Sequence, residues 1–181
     1  MAAIPELRTP RLQLRAFTLA DAPAVQRLAG DEAIASTTLN IPHPYPDGVA
    51  EAWIATHAAA FERLESLSLA VVLVATGELV GATGLVGINK AHSRAEIGYW
   101  TGKPYWGNGY CTEAAGALID YAFRTLELNR IYAYHLTRNP ASGRVMQKLG
   151  MTHEGRLRQH ALKWDAFEDL EVYGLLREER P

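Results

Sequence analysis

Between Pro104 and Ala114 the chain reads Pro-Tyr-Trp-Gly-Asn-Gly-Tyr-Cys-Thr-Glu-Ala. Gly107 and Gly109 stand at alternate positions, after an apolar segment and before a helical pattern. Glycine accepts a positive φ and lets other atoms come close to the backbone. The first turn of a helix leaves its N–H groups unpaired, and the helix dipole makes that end positive. Trp106, Gly107, Asn108, Gly109, Tyr110, Cys111 and Thr112 therefore form a candidate nest for an anion such as a pyrophosphate. No Gly-Lys-Ser/Thr follows, which speaks against an ATP P-loop, and the absence of G-x-G-x-x-G speaks against a dinucleotide fingerprint. Taken alone, the stretch reads equally as a tight strand-to-helix turn that binds nothing.

Composition narrows the chemistry. The 181 residues suffice for one domain with a substantial core, and 48% hydrophobic with 21% charged residues is ordinary for a soluble globular protein. A formal charge of -2 gives no long-range pull on nucleic acid, whose binders carry a clear basic excess. The six histidines are scattered with no i,i+4 pair, and Cys111 is the single cysteine, so no metal site and no internal disulfide are expected. The N-terminus has no basic head followed by an apolar run, and no apolar stretch could span a bilayer. The cytoplasm is the expected compartment, with no membrane partner.

The elements around the turn follow from periodicity. Arg11 to Arg15 alternates as a strand, and Thr18 or Asp21 can cap a first helix with Val25 and Leu28 inward. Three prolines make residues 41–48 a loop, and a second helix follows from Val49 to about Leu67, with Trp53, His57 and Phe61 near one face. Leu69 to Ala75, Leu79 to Ile88 and Ala95 to Thr101 read as strands, Thr112 to Leu126 as a helix, and Arg130 to Thr137 as a strand. Asn139-Pro140 opens a short helix that stops near Gly150, and two strands, about Thr152 to Lys163 and Leu170 to Leu176, finish the chain. The order β-α-α-β-β-β-α-β-α-β-β is an α/β mixture built on one sheet in one domain, residues 1–181.

Several blocks in this order resemble the GNAT superfamily, the Gcn5-related N-acetyltransferases, and within it the RimJ/RimL type that acetylates ribosomal-protein N-termini. They are Leu7–Arg15, Gly81-Ala82-Thr83-Gly84-Leu85, Ala95-Glu96-Ile97-Gly98-Tyr99-Trp100, Trp106–Ala114, Asn139-Pro140-Ala141-Ser142 with Lys148-Leu149-Gly150-Met151, and Tyr173-Gly174-Leu175-Leu176. The superfamily pattern at the turn is Q/R-x-x-G-x-G/A; here Trp106 stands at the first position and Cys111 at the last. The resemblance implies a twisted, mostly antiparallel sheet flanked by helices and splayed between its fourth and fifth strands. It implies acetyl-coenzyme A as cosubstrate, its pyrophosphate on the turn and its pantetheine arm in the splay. That arm would pair with backbone at Tyr99, Trp100 and Thr101, like an added strand, and with Asn139. One strand N–H would polarise the thioester carbonyl. Cys111 would be a small buried hydrophobe rather than a nucleophile, because the family transfers the acyl group directly.

An amine attacks a thioester only when neutral, so its proton needs an exit and the departing thiolate needs a donor. Ala95-Glu96-Ile97 resembles the strand that carries the general-base glutamate of Gcn5-type enzymes, which makes Glu96 the candidate base. The bland alternative is an exposed carboxylate, or one paired with Arg94 or Arg130. His160 is a second candidate, since imidazole titrates near neutrality. Asn139 reads as an N-cap with Pro140 at the first helical position, which puts Ser142 in the first turn. Many relatives carry a tyrosine four residues further on, where this chain has Met146. The resemblance thus passes the proton-donor role to Ser142, against the alternative of a serine satisfying a local amide.

The acceptor is expected between the 41–48 loop, the second helix and the strand pair near Lys163-Trp164, with Tyr45, Trp53, His57 and Trp164 as substrate-binding candidates. Aromatic residues at helical spacing read as core as readily as pocket. The leading reading is acetylation of a protein or peptide α-amine. The alternatives are a small-molecule amine (amino acid, polyamine or antibiotic) and a silent coenzyme A sensor. Both monomer and homodimer are open.

Overall fold

The computed structural model describes residues 3–180. Its strands are β1 (Leu7–Arg8), β2 (Leu12–Arg15), β3 (Ser66–Leu73), β4 (Leu79–Asn89), β5 (Arg94–Thr101), β6 (Arg130–Leu136), β7 (Thr152–Lys163) and β8 (Ala166–Leu176). The helices are α1 (Ala22–Ala29), α2 (Glu32–Ala35), α3 (Val49–Glu62), α4 (Tyr110–Arg124) and α5 (Pro140–Lys148). One eight-stranded sheet runs β1-β2-β3-β4-β5-β6-β8-β7.

Burial explains the layers. On one face Leu12, Leu14, Leu69, Val71, Ala95 and Ile97 pack against Ala114, Ala115, Leu118, Ile119 and Ala122 of α4 and Met146 of α5. The alanine stripe lets α4 lie close to the sheet, so the long branched strand residues fill the space between. On the other face Ala70, Val72 and Ala82 meet Phe17, Val25, Ala29 and Ile54, which belong to α1, α3 and the segment before α1. The central strand β3 feeds both clusters, which is why its sequence is apolar without alternation.

All pairs are antiparallel except β5 with β6. That parallel pairing covers three positions, Arg94 with Arg130, Ala95 with Ile131 and Glu96 with Tyr132. Beyond Glu96 the two strands part. The parting lies between the fifth and sixth strands because the short β1 precedes the seven expected from sequence.

Three further details differ from expectation. The short α2 is additional. Helix α3 ends at Glu62, where Leu64 turns to φ 53, and Leu67 joins β3 instead. Strand β8 starts at Ala166, directly after a turn at Trp164 and Asp165 with φ of 48 and 63. Two positive φ values in succession match the right-handed twist of a hairpin.

Candidate active site

At the turn, Gly107 and Gly109 hold φ of 79 and 78, values an L side chain adopts only with strain. A Cβ on Gly107 would meet nothing within 4 Å, so the space beside it is open. The Asn108 side chain donates to the carbonyls of Tyr105 (3.1 Å) and Trp106 (3.2 Å) and folds the turn on itself. Gly109 is the N-cap of α4 and supplies no side-chain acceptor, which leaves the first-turn amides of α4 to an outside anion. Burial pushes the Cys111 thiol up to about 12, against a hydrogen bond with Thr101, so it carries no thiolate at neutral pH.

The turn is braced from a distant segment. Glu113, in the first turn of α4, accepts from Thr9 Oγ1 (2.6 Å), the Arg11 amide (3.1 Å) and Arg11 Nε (2.7 Å). Arg11 also donates to the Asn108 carbonyl at 2.9 Å and lies over the Tyr110 ring. Burial raises the Glu113 carboxyl, but the Thr9 and Arg11 hydrogen bonds outweigh it and hold the group below its ordinary value.

The parted strands expose backbone in a fixed alternation. The Gly102 amide bonds the Val80 carbonyl at 2.8 Å, in register with Trp100 opposite Ala82. Gly98, Trp100 and Gly102 therefore turn their polar groups to β4, and Ile97, Tyr99 and Thr101 turn theirs into the gap. Trp100 is thus corrected, since its backbone polar groups turn to β4, and Ile97, overlooked in the sequence, turns its own into the gap. The Thr101 carbonyl is already held by the Trp106 indole N–H at 2.6 Å. On the opposite wall, the Thr137 amide bonds Asp169 and the Arg177 amide bonds Asn129, so odd positions of β6 face β8. Tyr132 and Tyr134 face the gap.

At the far end of the gap stands the start of α5. Asn139 Oδ1 accepts from the Ser142 amide at 3.4 Å as N-cap, leaving its NH2 available. The Tyr99 hydroxyl reaches the Ser142 carbonyl (3.1 Å) and Ser142 Oγ (3.2 Å). Sequence reasoning used Tyr99 for its backbone and missed its hydroxyl.

On the opposite face, Glu96 is half-buried, and burial raises its carboxyl. The ion pair with Arg130 left open by the sequence does not form: Arg130 makes a bidentate pair with Glu154. Tyr132 and Tyr134 pack edge to face beside Glu96, centroids 5.6 Å apart. Their even spacing on a strand in register with Glu96 was the signal that could have found them. His160 is exposed on the edge strand β7, with β8 between it and β6.

The acceptor candidates divide. Lys163 Nζ bonds the Ile41 carbonyl at 3.1 Å, and the His43 and Trp164 rings lie 6.0 Å apart, so the 41–48 loop and the β7–β8 hairpin meet as expected. Tyr45 is partly buried against the second cluster, and Trp164 is 48% exposed. His57 is corrected: it is 7% exposed, wedged between Trp53 and Phe17, with both ring nitrogens unpartnered. Burial lowers it to about 4, so it is a neutral core residue, and Trp53 packs on it as part of the same cluster.

Comparison with known proteins fits this geometry. The family profile described as an acetyltransferase (GNAT) domain matches residues 11–152. The N-acetyltransferase YoaA of Bacillus subtilis (strain 168) is 32% identical over 174 residues, 96% of this chain and 97% of YoaA. Over shorter stretches of Escherichia coli (strain K12) proteins, the chain is 33% identical to ribosomal-protein-serine acetyltransferase (53% of this chain, 54% of that one) and 36% identical to spermidine N(1)-acetyltransferase (48% and 46%). Among solved structures, a GNAT-family acetyltransferase from Bacillus anthracis superposes with TM-score 0.86 at 26% identity, covering 96% of this chain and 99% of that one. Mycobacterium smegmatis RimJ, solved with a coenzyme A disulfide, superposes with TM-score 0.86 at 25% identity, covering 98% and 88%. A glycine turn at a helix start, a sheet parted beside it and a profile match across most of the chain converge on one conclusion: this protein belongs to the GNAT family and is an N-acetyltransferase.

Proposed function

We propose that the protein transfers an acetyl group from acetyl-coenzyme A directly to the α-amine of a protein or peptide N-terminus. The observation that carries this reading is the continuous polar track from the Gly107–Thr112 turn, along the unpaired backbone of Ile97 and Tyr99, to Ser142. Its fit to a pyrophosphate followed by an amide-bearing arm is direct: helix-start amides at one end, strand-like donors and acceptors along the rest. When bound, acetyl-coenzyme A supplies the activated acyl group. First-turn amides of α4 hold the diphosphate, with Trp106, Asn108 and Arg11 keeping the turn in shape. The Ile97, Tyr99 and Thr101 backbone orients the arm, assisted by the Asn139 amide. A backbone N–H of β5 polarises the carbonyl. Glu96 takes the amine proton from the other face of the sheet, directly or through water, and Ser142 donates to the leaving sulfur.

The acceptor face centres on one candidate base. Glu96 lies in register with Tyr132, and the Tyr132 and Tyr134 rings meet edge to face beside it. Arg130 is paired with Glu154, and the edge-to-face tyrosines offer an aromatic wall to a peptide backbone. Resemblance to both a ribosomal-protein and a spermidine acetyltransferase makes a small-molecule amine the second reading. A panel of N-terminal peptides, amino acids and polyamines with acetyl-coenzyme A, followed by thiol release, separates them. Turnover of peptides at least tenfold above polyamines is expected on a discrimination of about 1.4 kcal/mol. The reverse ranking would replace this reading with the second.

A further inference from the structure

Tyr99 and Ser142 meet across the parting in the sheet, 43 positions apart in sequence. Tyr99 leaves β5 toward the α4 side and packs against the main core cluster, so buried neighbours fix where its hydroxyl sits. Burial pushes the phenol well above the ordinary tyrosine value, against its bond to Ser142, and it stays protonated throughout the working pH range. Its one O–H goes to the Ser142 carbonyl at 3.1 Å, which leaves the phenol oxygen facing Ser142 Oγ at 3.2 Å.

Ser142 is fixed from its own side as well. The Asn139 side chain caps its amide. The next residue, Gly143, lies so close to the His135 ring that an added Cβ would stand 2.7 Å from Nε2. The backbone of this turn is thereby pinned, and the freedom left to Ser142 is rotation of its hydroxymethyl group among three staggered wells.

We propose that Tyr99 is a positioning residue for acyl transfer: its hydroxyl donates to the Ser142 carbonyl, fixes the first turn of α5, and holds Ser142 Oγ beside the phenol oxygen in the one rotamer from which the serine hydrogen can turn to the departing sulfur. This rests on the role given above to Ser142. In the step itself Ser142 gives up its hydrogen: the O–H bond breaks, the S–H bond forms, and the oxygen takes a proton from water in the same event, the resulting hydroxide being neutralised by the proton the amine released. The 3.2 Å separation is long for two hydroxyls and is of the kind that shortens when a reacting complex forms.

The test compares wild type, Tyr99→Phe, Ser142→Ala and the double variant by kcat, KM and calorimetric affinity for coenzyme A. Phenylalanine keeps the ring in the core, and a circular-dichroism melt verifies the fold. Expected is a loss of about tenfold in kcat for Tyr99→Phe, with coenzyme A affinity held within about twofold, and no further loss when it is added to Ser142→Ala. If Tyr99→Phe turns over like wild type while Ser142→Ala is impaired, the inference falls and the role of Ser142 stands. Wild-type turnover by Ser142→Ala overturns both. Losses that multiply in the double variant mean the phenol acts on its own, which also overturns the inference.

Discussion

Arg11 and Glu113, 102 positions apart, form the clamp that holds the glycine turn: Nη2 and Oε2 are 2.5 Å apart, and the same guanidinium reaches the Asn108 carbonyl. The turn between β1 and β2 is thus tied to the first turn of α4 and to the loop before it. A turn containing two positive-φ glycines has more freedom to lose than most, and the clamp removes it before any ligand arrives.

The clamp predicts a binding defect separate from chemistry. Arg11→Ala should raise KM for acetyl-coenzyme A and weaken coenzyme A binding by on the order of tenfold, with kcat changed little. Calorimetry against coenzyme A is the check. The carboxyl of Glu113 titrates below its ordinary value in the folded protein. The stability it contributes is therefore present above the unfolded-state value near 4.5 and is lost as pH falls through the lower folded value.

Glu96 gives the opposite sign. Burial raises its carboxyl above 4.5, so it holds its proton to a higher pH than an exposed glutamate. As a base it works only when ionised, so kcat/KM should climb through this raised value as pH increases. Glu96→Gln should lower kcat/KM by about 10²-fold and erase that limb of the profile. A variant that keeps the limb would move the proton-accepting role to water or another group. In stability the raised value means the folded state binds the extra proton, so stability declines slightly as pH rises through the same interval.

His57 supplies a stability test away from the reaction. Its two ring nitrogens are buried without partners, and burial lowers it from 6.5 to about 4. Between those values the unfolded chain takes up a proton that the folded one refuses. Stability is thus full above 6.5 and drops by roughly 3 kcal/mol as pH falls to 4. His57→Phe removes the unpartnered nitrogens and this slope together. At pH 7 it should gain about 1 kcal/mol, or roughly 3 °C in Tm, by thermal melts at pH 5 and pH 7. An unchanged slope between those pH values in the variant would assign it to other groups.

Much of this architecture is legible from single residues. Asn139-Pro140 marks the start of α5 because cap and fixed φ act locally, and the alternation in Arg11–Arg15 marks β2 for the same reason. The hairpin at Trp164-Asp165 is hidden, since neither residue is the glycine or asparagine that usually takes a positive φ. Which backbone groups of Ile97–Thr101 face the gap depends on β4 register, a relation between two strands that neither states alone. The clamp of Arg11 on Glu113 and the meeting of Tyr99 with Ser142 depend on folding distant segments together, and so escape any local pattern. His57 shows the reverse error: helical spacing put it beside Trp53 correctly, but spacing does not say which side of α3 faces solvent.

The three-position pairing of β5 with β6 has one more implication. Two half-paired strands normally invite another polypeptide to add itself, which is how sheets aggregate. Here both margins lie inside the sheet, with α4 and α5 across one face, so neither is an outer edge along which another sheet can extend this one. The enzyme thus keeps a row of unpaired backbone donors and acceptors without presenting them on an outer edge of the sheet.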